Sequence, residues 1–250
     1  MRTPRLLAVP LAVALLVVLT GCGAGGGAGG DSTLTVLAAA SLTEPFTAIA
    51  REFEKDHPGT RVVLSFGASD VLAQQSNQGA PADLLATAST TTMDLANDAE
   101  DAHLFASNTM EIAVPAGNPG HVSSLRDLTR PGVKVAVCQA KVPCGVVAAK
   151  VFARAHLSVR PVTEEADVRS VLTKVDTGEV DAGLVYTSDV RTAPSGVRGV
   201  PIPKSVNAVT SYPISVLGST KHQHLAEQFE QFVLGPTGRR AMTAAGFARP

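Results

Sequence analysis

Four points in the sequence place a small or capping residue where a strand or loop gives way to a helix pattern. They are Ser41, Ser69, Cys144 and Val168. A helix begins with free backbone N–H groups and the positive end of its dipole, so each point favours an anion. The three alanines before Ser41 leave room for an anion to approach the backbone, and the serine hydroxyls add O–H donors. The alternative at each point is an ordinary helix cap that binds nothing.

Tyr186 ends a strand-like run and is one of only two tyrosines in the chain. Its hydroxyl is a further candidate donor, and the alternative is a core tyrosine with a satisfied hydroxyl. Catalytic patterns are missing from the sequence: Ser69 lies in GASDV, which lacks the last glycine of G-x-S-x-G, and no H-E-x-x-H occurs. KHQH at 221–224 could hold a metal, but a solvated helix face is the simpler interpretation. The sequence therefore predicts binding without catalysis and without a metal cation site.

Alternating strand and helix patterns predict the framework that positions these residues. Apolar runs predict strands at 34–38, 61–66, 82–88, 110–117, 133–138, 181–186 and 211–217. Helical periodicity predicts helices at 43–56, 69–79, 91–99, 145–155 and 165–178, and two more close the chain. Two successive series of this kind predict an α/β protein of two lobes, with mostly parallel sheets flanked by helices. Such sheets bind ligands beyond the carboxyl ends of their strands, which predicts a site in the cleft between the lobes.

The N-terminus has the pattern of an export signal. Arg2 and Arg5 precede an apolar run at 6–19, and LTGC follows at 19–22. A basic start, a short apolar stretch and small residues before a cut point are typical of a secretory signal and not of a spanning helix. Residues 1–21 are therefore predicted to be a signal peptide.

Cys22 stands at the predicted cut point, which resembles a bacterial lipoprotein signal and predicts Cys22 as the lipidated first residue. The alternative is an ordinary signal with a chance cysteine. The segment 22–32 is rich in glycine and is predicted to be a tether, with a reach of roughly 16–19 Å over ten residues. We expect an extracytoplasmic domain that is anchored to the cell membrane, since acylation by two or more chains gives a stable anchor.

Composition excludes some ligand classes. The chain has 21 basic and 22 acidic residues, so removal of Arg2 and Arg5 leaves a net charge of about −3. The sequence has no stripe of basic residues of the kind that binds nucleic acid. It also has no tryptophan, which makes a groove that stacks on sugar rings a poor candidate. Besides Cys22 the chain has only Cys138 and Cys144, which could pair in an oxidising compartment or remain free thiols.

Several stretches resemble the molybdate-binding proteins of bacterial ABC importers, in the order and spacing of that family over residues 33–250. They are LAAASLTEPF, SFGASDVLAQQSNQGAPADLLATA, VPCGVVAAKVF, ADVRSVL, LVYTSD, YPISVL and LGPTGRRAMTAAGF. The resemblance implies the type II periplasmic-binding-protein fold and a protein that hands molybdate, and with it tungstate, to an ABC permease. It implies no enzyme activity, no cofactor and no nucleic-acid partner, and we expect a monomer.

The resemblance also implies an oxyanion site made of neutral donors. Its members are the hydroxyl and N–H groups of Ser41 and Ser69, the backbone N–H groups of Cys144 and Val168, and the hydroxyl of Tyr186. Cys144 departs from the family, where a small residue such as alanine is expected, and a disulfide to Cys138 would stiffen the loop beside the ligand.

The expected lobes and the competing functions complete the predictions. Lobe 1 is expected to comprise 33–112 and 213–250, and lobe 2 to comprise 113–212. The alternatives to molybdate are another oxyanion such as sulfate or, from a different class, a secreted hydrolase.

Overall fold

The computed structural model describes residues 32–250. The predicted signal peptide and Cys22 lie outside the described residues, as does the predicted tether up to residue 31. Ser32, which was expected to end the tether, is instead the first residue of the sheet. Within residues 32–250, none of the helices combines the length and the apolar character needed to cross a membrane.

Nine strands lie in the described part of the chain, and their bounds follow the apolar runs of the sequence. They are β1 Ser32–Ala39, β2 Thr60–Gly67, β3 Leu84–Ala86, β4 His103–Pro115, β5 Val135–Cys138, β6 Thr163–Glu165, β7 Ala182–Tyr186, β8 Val197–Pro201 and β9 Val209–Val216.

The α-helices cover both faces of the sheet strands and connect them. They are α1 Thr43–Asp56, α2 Ser69–Asn77, α3 Thr90–Met93, α4 Pro143–Arg154, α5 Val168–Asp176, α6 Thr187–Arg191, α7 Gln223–Leu234 and α8 Pro236–Ala244. Two short 3-10 turns, Ala40–Leu42 and Leu125–Thr129, complete the framework.

The sheet has the strand order β2-β1-β3-β9-β4-β7-β5-β6, and β8 pairs with β4. Pairing is parallel between β1 and β2, β1 and β3, β5 and β6, and β5 and β7. All pairs made by β4 and β9 are antiparallel. The predicted α/β fold is confirmed, but the sheet is mixed and not mostly parallel, because these two strands run against their neighbours.

Strand β4 belongs to both ends of this sheet. Its residues His103–Thr109 pair with β9, and Met110–Pro115 pair with β7 and β8. We call β1, β2, β3, β9 and the start of β4 the first sheet half, and β5 to β8 with the end of β4 the second sheet half. Apolar patterning of β4 had predicted only its second part, since 103–109 contains polar residues at the crossing.

Each sheet half has its own apolar core. In the first, Phe53 of α1 packs edge to face on Phe229 of α7 at 5.1 Å between ring centroids, and both are fully buried. In the second, aliphatic residues such as Val135 and Val171 fill the space between sheet and helices. The two amphipathic helices α1 and α5 thus each fix one end of the sheet through their apolar faces.

Helix α3 is shorter than the predicted helix 91–99, and side-chain bonds explain the difference. The helix ends at Met93, and backbone groups of the following residues form hydrogen bonds with the side chain of Asn77 in α2 instead of with a further helical turn. Its amide donates to the carbonyl of Leu95 at 2.7 Å and accepts from the N–H of Asn97 at 2.8 Å. Such local side-chain bonds compete with helical hydrogen bonds. Strands β6 and β8 and helix α6 were also not predicted.

Candidate functional site: a cavity between the two sheet halves

A small cavity lies where helix starts of both sheet halves meet. It is lined by Ala39, Ala40, Ser41, Gly67, Ala68, Ser69, Ala88, Val142, Pro143, Cys144, Ala166, Asp167, Val168 and Tyr186. All five residues of the predicted site are in this set, and they come from widely separated parts of the chain. The cavity is therefore assembled by the fold.

The size of the cavity suits one compact ion. The space open to the centre of a water molecule is about 20 Å³. A sphere of that volume has a radius of roughly 1.7 Å, and the water itself extends about 1.4 Å further, which leaves room for an ion of roughly 3 Å radius. This is one bond length plus one oxygen radius, the dimension of a central atom with a single layer of oxygens.

In the first sheet half, two serine hydroxyls are held by partners from other elements. The Oγ of Ser41, in the 3-10 turn after β1, lies 3.0 Å from the hydroxyl of Tyr212 in β9. The Oγ of Ser69, the first residue of α2, accepts the N–H of Ala88 at 3.0 Å. Neither hydroxyl caps its own helix, whose N-cap residues are Ala39 and Ala68. The interpretation of these serines as ordinary caps is therefore wrong.

With these partners, both serine hydroxyls can donate a hydrogen bond into the cavity. Because Ser69 already accepts the Ala88 N–H, its own hydroxyl proton is free to point into the cavity. Tyr212 can do the same for Ser41 by donating to its Oγ, since either oxygen can be the donor in that pair. A ligand that only accepts hydrogen bonds would select this arrangement.

In the second sheet half, two helix starts point at the cavity. Pro143 and Cys144 open α4, and Val168 is the first residue of α5. Asp167 lines the cavity as well, but its carboxylate is engaged with its own helix, because its two oxygens accept from the N–H and the hydroxyl of Ser170 at 2.9 and 3.0 Å. The backbone N–H groups of Cys144 and Val168 belong to first helical turns, where they have no intrahelical acceptor.

Helix α4 begins unusually close to the end of β5. A Cβ atom on Gly145 would lie 2.0 Å from the carbonyl oxygen of Gln139 and 2.8 Å from that of Cys138, so only glycine fits. A disulfide joins Cys138 to Cys144 across the same gap, with 5.7 Å between their Cα atoms. The two features together hold the start of α4 against the loop that borders the cavity.

Loss of this disulfide is expected to lower the free energy of unfolding by about 2 kcal/mol, because it closes a short loop. We expect a smaller effect on ligand affinity, since the close packing at Gly145 still holds the start of α4, and with it the Cys144 N–H, when the disulfide is absent. Chemical unfolding of the soluble domain with and without reductant measures the first quantity, and C138S/C144S in the absence of reductant is the matched control. Equal stability of the oxidised and reduced protein would contradict the expectation, and thiol labelling without reductant would show that no bridge forms.

Tyr186 contributes a hydroxyl that has no hydrogen-bond partner among the described residues, although it is fully buried. Burial raises the pKa of this phenol well above its usual value, so it stays protonated and can only be a neutral donor or acceptor. Its ring packs edge to face on Tyr212 with centroids 6.1 Å apart. A buried hydroxyl without a partner in the wall of a cavity is a site at which a ligand can complete the bonding.

Asp189 holds the end of β7 in place beneath Tyr186. Its Oδ2 accepts the N–H of Tyr186 at 2.9 Å, and its Oδ1 is buried without a partner among the described residues. Burial raises the pKa of Asp189 to about 7, against the lowering effects of that hydrogen bond and of the Arg169 charge. Burial therefore favours the neutral form of this carboxyl group.

Sequence patterns missed three residues that support this site: Tyr212, Asp189 and Arg169. Each lies in a stretch that carried the resemblance, namely YPISVL, LVYTSD and ADVRSVL. Tyr212 could have been found by its rarity, since it is the second of only two tyrosines.

The histidines play no part in this cavity. His222 of KHQH lies with its Nδ1 3.1 Å from Asp83 Oδ1, at the far end of the first sheet half. Within residues 32–250, no group of three or more His, Cys, Asp or Glu side chains is arranged to hold a metal ion.

The cavity is lined mainly by small residues and uncharged donors, and the described residues around it hold neither a nucleophile–base pair nor a metal cluster, an arrangement that suits the binding of a small solute. Residues 34–248 match the family of bacterial extracellular solute-binding proteins, and the chain belongs to this family. It is therefore an extracytoplasmic binding protein and not an enzyme, which removes the secreted hydrolase as an alternative.

Individual relatives point in the same direction. The molybdate-binding protein ModA of Mycobacterium tuberculosis is 42% identical over 225 residues, which cover 87% of this chain and 85% of that protein. The periplasmic molybdate-binding protein of Azotobacter vinelandii is similar in structure, with a TM-score of 0.76, 23% identity, and coverage of 87% of this chain and 99% of that one. The sulfate-binding protein SubI of M. tuberculosis has a TM-score of 0.75, 19% identity, and coverage of 87% of both chains. At these identities the two structural matches establish the fold and not the ligand.

Proposed function

We propose that this protein captures molybdate, and also tungstate, outside the cytoplasm and delivers it to an ABC permease. The observation that carries the proposal is the meeting of five residues with predicted neutral donors around one cavity of the size of a single oxyanion. The donors are the hydroxyl and N–H groups of Ser41 and Ser69, the N–H groups of Cys144 and Val168, and the Tyr186 hydroxyl. The identity of 42% to a molybdate-binding protein supports the same ligand.

The chemistry of the donors suits a fully deprotonated dianion. Molybdate and tungstate carry no proton near neutral pH and can only accept hydrogen bonds. Hydrogen phosphate carries an O–H that needs an acceptor, and a cavity of donors leaves that group unpaired. The buried Tyr186 hydroxyl is available to donate a hydrogen bond to the anion, since it has no partner among the described residues.

Sulfate remains the second candidate, because it is also a tetrahedral dianion and a sulfate-binding protein shares the fold. Charge and hydrogen bonding treat sulfate and molybdate alike. Only the dimensions of the cavity separate them, since the smaller sulfate ion cannot reach donors on all sides at once. The identity of 42% to a molybdate-binding protein favours the larger ion.

The surrounding organisation follows from the same proposal. The two lobes correspond to the two sheet halves, so their bounds move by three or four residues from the expected 33–112 with 213–250 and 113–212: one lobe is 33–109 with 209–250, and the other is 110–208. The lobes close over the anion by a hinge near the crossing of β4 and β9. Acylation of Cys22 anchors a monomer to the cell membrane, and the glycine-rich tether lets it reach the permease. Molybdate is cargo in this scheme, and the protein needs no resident cofactor.

Calorimetric titration of the soluble domain with four anions tests the proposal. We expect molybdate and tungstate to bind with similar affinity, sulfate far more weakly, and phosphate not measurably. The double variant S41A/S69A is the matched control, because it keeps the cavity and removes two donors. Tight binding of sulfate or phosphate without binding of molybdate would contradict the assignment.

A further inference from the structure

One ion pair joins the two walls of the cavity. Nη1 of Arg169, in α5, lies 2.9 Å from Oε1 of Glu44, in α1. Arg169 directly follows Val168, and Glu44 is three residues beyond Ser41, so the pair sits beside donors of both sheet halves. The other ion pairs in residues 32–250 each connect residues of a single sheet half.

The pair between Arg169 and Glu44 is partly buried. The two side chains are 33% and 34% exposed, and the Nη1 atom is shielded from solvent without a hydrogen-bond partner among the described residues, so the contact with Glu44 is an ion pair and not a hydrogen bond. The positive charge of Arg169 also lowers the pKa of buried Asp189, which Glu44 and Asp167 raise. Arg169 therefore interacts electrostatically with a buried carboxyl group of the second half as well as with Glu44 of the first.

We propose that Glu44 and Arg169 form a closure pair, which engages when the two sheet halves close on the anion and slows its release. The inference rests on the proposed function. Arg169 acts as a positioning residue: it holds the start of α5, with the Val168 N–H, against the turn that carries Ser41. Neither side chain belongs to the set that lines the cavity.

The substitution Glu44→Gln distinguishes a closure pair from mere repulsion between the Glu44 carboxylate and the bound dianion. Removing a negative charge near a dianion would by itself tighten binding, because it reduces repulsion. Loss of a closure pair has the opposite effect and accelerates release. We expect the release rate to rise roughly two- to five-fold, the range of a partly exposed ion pair.

Stopped-flow release of molybdate provides the measurement. The chain has no tryptophan, and both of its tyrosines, Tyr186 and Tyr212, lie at the site, so tyrosine fluorescence reports the bound state. Glu52→Gln is the matched control, because Glu52 lies on the same helix and pairs with Lys55 at 2.6 Å without crossing to the other half. We expect the Glu52→Gln variant to release molybdate at the wild-type rate.

A double-mutant cycle completes the test. The effects of Glu44→Gln and Arg169→Gln on the release rate should not multiply in E44Q/R169Q, since both remove the same contact. Coupling that appears only in the unfolding free energy of the ligand-free protein, with wild-type release rates, would overturn the closure role. Slower release from the Glu44→Gln variant would also overturn it in favour of simple repulsion. Failure of the wild-type protein to bind molybdate would instead remove the proposed function and this inference with it.

Discussion

Replacing Ser69 with alanine is expected to weaken molybdate binding by about 10- to 150-fold, and replacing Ser41 to have an effect of the same order. Each change removes a hydrogen bond from a buried hydroxyl to a charged ligand. The Ala88 N–H already donates to Ser69, which frees the Ser69 proton for the ligand, and the Tyr212 hydroxyl can do the same for Ser41. Calorimetry of the two variants gives the dissociation constants.

Ser76→Ala is the matched control for Ser69→Ala. Ser76 lies on the same helix and is buried, but its hydroxyl donates to Asp98 at 3.2 Å, away from the cavity. We expect this variant to lose some stability and to keep the wild-type dissociation constant. If Ser41→Ala and Ser69→Ala also kept that constant, the two hydroxyls would have no role in binding.

Asp189 is expected to make the free energy of unfolding fall as pH rises from about 4 to about 7. Its pKa is raised by burial from 3.8 to about 7, so between these values the folded protein holds a proton that the unfolded chain has lost. The stability contributed by the neutral carboxyl is complete below the unfolded pKa and lost once the pH exceeds the folded one. A shift of about three units corresponds to a loss of up to about 4 kcal/mol.

The variant Asp189→Asn isolates this effect, because an amide oxygen can still accept the Tyr186 N–H while the group no longer titrates. Burial also raises the pKa of Glu111 and of Glu230, and both contribute with the same sign. Their effect is common to both proteins, so the difference in unfolding free energy between variant and wild type reports Asp189 alone. We expect the variant to gain stability relative to wild type as pH rises, and a constant difference from pH 4 to pH 8 would contradict the assignment.

Local sequence patterns were sufficient to predict where α1 and α2 begin. The apolar spacing of α1 and the small residues around Ser41 and Ser69 fix where strands end and helices begin, because backbone geometry and helix-end donors depend on near neighbours in the chain. The rule that ligands lie beyond strand ends selected these strand–helix junctions, and the family resemblance supplied the candidate oxyanion contacts. The spacing of Cys138 and Cys144 made a disulfide one of two alternatives.

Other features of the site depend on contacts that no local pattern encodes. Tyr212 meets Ser41 across 171 positions, and Ala88 meets Ser69 across 19. The raised pKa of Asp189 comes from burial, and burial is a property of everything packed around a group. The polar start of β4 becomes a strand only because β9 pairs with it.

The sequence by itself therefore determined the α/β class and the starts of α1 and α2, and it indicated candidate neutral donors there, because these follow from periodicity and from the chemistry of single residues. Only the tertiary structure decided which partner prepares each hydroxyl, which carboxyl is deprived of water, and that Glu44 reaches Arg169. Hydrogen-bond direction, desolvation and ion pairing arise between atoms that are close in space and far apart along the chain. Their free energies are set by packing, so they could not be predicted before the two halves of the sheet were placed together.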